Sequence, residues 1–81
     1  MDWFELWFAD RESMLGTMIR NMVSDIEAGY NPAGACIMRQ NAEITAFKEE
    51  FDKAVDRLKE MTEKQAAHWC YLDLKKRGAI A

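Results

Sequence analysis

Side chains that could act as nucleophile, base or metal ligand are scarce in this 81-residue chain: one histidine, His68, and two cysteines, Cys36 and Cys70. A thiol–imidazole pair needs both groups within hydrogen-bond reach. His68 and Cys70 stand two positions apart, so on a helix they point about 200° away from each other. Cys36 could meet His68 only through tertiary packing. A zinc site built from all three would lack a fourth ligand and any C-x-x-C spacing. The sequence has no glycine-rich phosphate loop and no E-x-x-H motif. Its carboxylates fall on the outer faces of amphipathic segments, where solubility accounts for them. These residues predict no enzyme, no metal and no cofactor.

Recognition of nucleic acid has a little more to stand on. The one basic run is Lys75-Lys76-Arg77. It falls at the C-terminal end of a predicted helix, where cations complement the helix dipole. A helix-turn-helix reader sends the opposite, N-terminal part of its second helix into the major groove, and that part here begins with Glu63. Eleven bases against fourteen acids give a net charge of −3. Residues 1–40 hold six acids and three bases, and residues 41–81 hold eight of each. A phosphate-binding face needs a basic surplus, and neither half has one. Lys75, Lys76 and Arg77 carry the alternative reading, a helical nucleic-acid-associated or regulatory protein.

The apolar residues are more informative. Helical spacing spreads Trp3, Phe4, Leu6, Trp7 and Phe8 over about 200°, more than one neighbouring helix covers. Asp2, Glu5, Asp10 and Glu12 flank them, against the basic polar face that a membrane-surface anchor wants. The segment is therefore either wedged between two elements of its own fold or offered to another chain. Ala66, Ala67, Cys70, Tyr71 and Leu74 form one face of a later helix, while Trp69 and Leu72 point off nearly the other way. Trp3, Phe4, Trp7, Phe8, Trp69 and Leu72 are accordingly the expected protein-binding patch, because aromatic anchors dominate interface energetics. Met14, Met18 and Met22, with Leu15, Ile19, Val23 and Ile26, cover a further arc of about 180°. That arc requires something on either side of its helix. A third helix or a second copy of the chain could supply it.

The elements that would position these residues are all helical. With 49% hydrophobic and 31% charged side chains, the chain has the composition of an ordinary globular domain. No apolar run approaches the roughly 20 residues a bilayer span needs, and no segment alternates long enough to predict a sheet. The pattern predicts helices over 2–28, 32–61 and 63–77. Asp2 caps the first, with Glu5 completing a capping box, and Gly29 ends it. Polar residues 9–13 are either a break or an exposed turn. Asn31 and Pro32 start the second helix, whose inner stripe runs Ile44, Phe47, Phe51, Ala54, Val55, Leu58 and Met61. Thr62 and Gln65 form a capping box for the third, which Gly78 closes.

The expected fold is therefore an all-α three-helix bundle, a long antiparallel hairpin with a shorter C-terminal helix, in a single domain over residues 1–81. The expected function is that of a non-enzymatic protein–protein interaction module, a homo-oligomerising adaptor or inhibitor-like small protein. Its expected partners are a second copy or a larger protein, with no membrane. Two cysteines and no secretory leader predict reduced thiols and a cytoplasmic location.

Overall fold

Three α-helices account for most of the chain: α1, Trp3–Glu27; α2, Ala35–Lys59; and α3, Glu63–Lys76. This computed structural model describes residues 2–81. The start of α1 follows from Asp2, whose carboxylate accepts from the backbone N–H groups of Phe4 and Glu5 at 3.0 and 3.2 Å. The helix then runs unbroken through residues 9–13 and Gly16. No break forms because Arg11, in the middle of that polar stretch, turns inward. It is 6% exposed, its guanidinium 5.4 Å from the Phe47 ring centroid and 2.8 Å from Asp10.

The helix ends follow glycine chemistry. Beyond α1, Gly29 takes φ 104°, its N–H donates to the Ile26 carbonyl, and the Tyr30 N–H reaches back to Asp25. Gly78 repeats the motif after α3 at φ 75°, with bonds to Lys75 and from Ala79 to Leu74. Both are six-residue reverse caps that only a left-handed residue closes without strain. Thr62 and Gln65 exchange both bonds of the expected capping box.

One boundary differs by three residues. Asn31 and Pro32 do not open α2. The Gly34 N–H donates to the Asn31 carbonyl at 2.8 Å, and the Asn31 side chain accepts from Ala33, so Pro32 sits in a tight turn. Proline's fixed φ suits that turn as well as a first helical position, which is why sequence placed it one turn too early. At its other end α2 stops at Lys59, leaving Met61 in the link to α3.

Packing makes α1 the central element: α2 runs along its length, and α3 covers only its N-terminal half. Trp7, Leu58, Cys70 and Leu74 form the buried centre there, wrapped by Trp3, Phe8, Ala54, Val55, Met61, Ala66, Trp69 and Ile80. Beyond α3 the hairpin continues as two helices. The molecule measures 47 × 25 × 16 Å with a radius of gyration of 15.4 Å, against roughly 12 Å for a compact domain of this length. Among the described residues, no helix is long and apolar enough to cross a membrane.

Candidate interaction surface

Most of the aromatic residues expected to dock a partner are used inside the fold. Trp7 is 1% exposed, and its indole N–H donates to Asp73 Oδ2 at 2.8 Å. The Trp69 ring meets it edge-on, with centroids 5.6 Å apart. Trp3 stands edge-on to Tyr71 at 4.8 Å, and Phe8 to Phe51 at 5.2 Å. Trp3, Trp7 and Phe8 are covered because α2 and α3 pack on two sides of the same stretch of α1, while Leu6 of the same arc stays exposed. Phe4 and Leu72 remain exposed but are not brought together. Phe4 borders a hollow with Asp2, Glu63 and Ala67, and Leu72 another with Gln65 and His68. Of the six residues expected to dock a partner, Trp7 is buried, Trp3, Phe8 and Trp69 are half-buried, and Phe4 and Leu72 are exposed.

The two thiols and the imidazole lie apart. Cys36 is exposed in the first turn of α2, and Cys70 is buried against Trp7 and Leu58. Between Cys36 and Leu58 lies about 33 Å of helix, which separates the first thiol from both Cys70 and His68. Burial, and then the negative charges of Asp73 and Asp2, push the Cys70 thiol up to about 11. It stays protonated and unreactive at neutral pH. Among the described residues no three His, Cys, Asp or Glu side chains gather as a metal site.

The basic run is partly committed. Arg77 donates to Asp73 Oδ2 at 2.7 Å, and the Lys75 ammonium lies 5.7 Å from the Tyr71 ring centroid. Lys75, Lys76 and Arg77 are all exposed at the dipole-negative end of α3. Asp73 thus accepts from both Trp7 and Arg77. Burial pushes its carboxyl up, but these hydrogen bonds and the charges of Arg77 and Arg11 outweigh it and hold the group below 3.8.

Exposed apolar side chains occur in both halves, Phe4, Leu6 and Leu72 beside α3 and others along the two-helix half of the hairpin. Met14, Ile19, Val23 and Met38 are 46, 39, 43 and 60% exposed. Ile19 lines a groove of about 380 Å³ between α1 and α2, floored also by Phe8, Leu15 and Phe51 and rimmed by Glu12, Lys48 and Asp52. Val23 stands one turn further along the same side of α1. Met14, seven residues on from Trp7, continues the face that α3 covers higher up. Only Ile37 and Ile44 are fully buried in this half. Nearby, Gln40 Nε2 donates to Asp25 at 2.7 Å while its Oε1 is buried with no partner. Sequence reasoning left the broad arc around Met14, Ile19 and Val23 open between cover by a third helix and cover by a second copy of the chain. The usable signal was its width, which exceeds what α2 alone covers.

Compared with protein-family models, curated proteins and solved structures, the chain matches none. The class that fold and surface define is an all-α three-helix protein with a half-covered hairpin.

Proposed function

We propose that this chain is a non-enzymatic protein-interaction module that docks a protein partner along the groove between α1 and α2. The observation that carries the reading is the apolar groove of Phe8, Leu15, Ile19 and Phe51, continued by exposed Val23, on the side of the α1–α2 pair turned away from α3. The floor supplies the driving force, about 25 cal/mol for each Å² of apolar surface removed from water. The charged rim of Glu12, Lys48 and Asp52 supplies selectivity and encounter rate. Both walls of the groove are continuous helices, so its backbone is formed before a partner arrives.

A photoreactive benzoylphenylalanine in place of Ile19, compared with the same residue in place of exposed Lys59, tests this in cells expressing the chain. The expected result is one discrete adduct from position 19 and none from position 59. No adduct, or the same smear of products from both positions, would remove the proposal.

A further inference from the structure

Resting on that docking surface, we infer that its occupant is a second copy of this chain, with the two α1 helices crossing antiparallel about a twofold axis at Gly16. Area is the first argument. A folded monomer of 9.4 kDa exposes roughly 5,000 Å², and this chain exposes 6015 Å². The excess, about 1,000 Å², is close to the ~800 Å² per partner that a standard stable interface buries. It follows from the elongated shape, 47 × 25 × 16 Å.

Gly16 is the second argument. It sits in the middle of a 25-residue helix with no positive φ, so its own backbone does not call for glycine. A glycine there costs about 1 kcal/mol relative to alanine. Within the chain, a Cβ at this position would meet only the guanidinium of Arg20, at 3.2 Å. That is the mobile end of an exposed side chain, which can move aside. What glycine does permit is close approach of another backbone on the outer side, and Gly16 borders the groove.

Charge is the third. A twofold axis at Gly16 places each residue opposite the one equally far on the other side. Glu12 then faces Arg20 of the second copy, twice over, and Val23 comes over Ala9 at the mouth of the groove beside Phe8. The chain carries a net charge of −3, so random pairing of copies is opposed, and this register converts the nearest charges to attraction. Glu5 and Glu27 also face each other, but 11 residues from the crossing, where helices packed at an angle of about 50° have splayed apart. Arg20 at present donates to the Thr17 hydroxyl at 3.2 Å, an exposed bond that it would exchange for a carboxylate.

Sedimentation equilibrium of the full chain tests the inference with Glu12→Lys, Arg20→Glu and the combined variant, helicity being checked by circular dichroism. The expected result is a dimer in which each single reversal weakens association about tenfold or more, and in which the combination restores it. A wild-type monomer at all concentrations would overturn the inference, as would a dimer indifferent to the single reversals. The docking proposal fails separately. A position-19 adduct of one recurrent foreign protein with a monomeric wild type would sink the second copy and keep the surface, whereas no adduct would sink the surface itself.

Discussion

The two halves of the α1–α2 hairpin are made of the same helices with similar apolar content, yet they end in different states. At the N-terminal half of α1, a third helix closes over Trp7, and Leu58, Cys70 and Leu74 are sealed from water. At the C-terminal half nothing covers α1 beyond α2, and Met14, Ile19 and Val23 stay wet while only Ile37 and Ile44 are buried in α2. An amphipathic helix with one neighbour can bury only a narrow stripe, and one with two neighbours can bury half its circumference. The apolar width of α1 is matched to two neighbours along its whole length. Its fold supplies the second for only half of it.

The sharpest way to break this comparison is to damage the covered half. Trp7→Ala removes a fully buried ring and leaves Asp73 short of a donor, so urea denaturation should show a loss of about 3–5 kcal/mol. Ile44→Ala, at 6% exposure in the two-helix half, should cost about 2 kcal/mol, the low end for such a truncation, because water and neighbouring side chains can relax into the thinner site. Equal losses would mean that the halves are equally consolidated.

Hydrogen exchange then asks how the stability is distributed. Amides of α1 and α2 in the two-helix half should open at lower free energy than those of residues 54–58 and 66–74, since fewer buried apolar contacts hold them. Thiol labelling gives the same ranking from side chains. Exposed Cys36 should react at once, and Cys70, buried with its thiol pushed up to about 11, only when the three-helix half opens. If the two-helix half becomes protected as protein concentration rises, its apolar face is being covered in trans.

The three helices and most of their ends were legible in sequence, and the reason the rest was not is physical. Caps are local, so Asp2, Thr62 with Gln65, Gly29 and Gly78 could be read from neighbours a turn away. Pro32 was misplaced because one backbone angle serves both a turn and a helix start. Arg11 gave the appearance of a surface break, since its charge is balanced by Asp10 and its stem packs inward, which no periodicity records. The site suffered most. A 200° aromatic arc and a 180° aliphatic arc look alike on a helical wheel, and which of them α3 covers is decided by a tertiary crossing.

A smaller effect separates docking from folding. Ile19→Ser with Val23→Ser alters side chains that are already 39 and 43% exposed. At low concentration, where the chain stands alone, the stability of this variant should stay within about 1 kcal/mol of wild type. Its capacity to bind on that face should disappear. A large loss of monomer stability would instead assign Ile19 and Val23 to the chain's own core, and the two halves would differ less than their exposures indicate.

The smallest expected effect is electrostatic and belongs to the covered half alone. Asp73 has its carboxyl held below 3.8 because bonds from Arg77 and Trp7 outweigh burial. A carboxyl with a lower pKa folded than unfolded contributes stability that is complete above the unfolded value and is lost as pH falls through the folded one. Stability should therefore decline on acidification below about 4, and Asp73→Asn should flatten that part of the curve while lowering stability at pH 7. The group is partly exposed, so screening keeps the effect modest. Urea midpoints for both chains between pH 2 and 7 measure it. Curves that stay parallel throughout would show that Asp73 does not couple the Trp7 indole and Arg77 to the closing of α3.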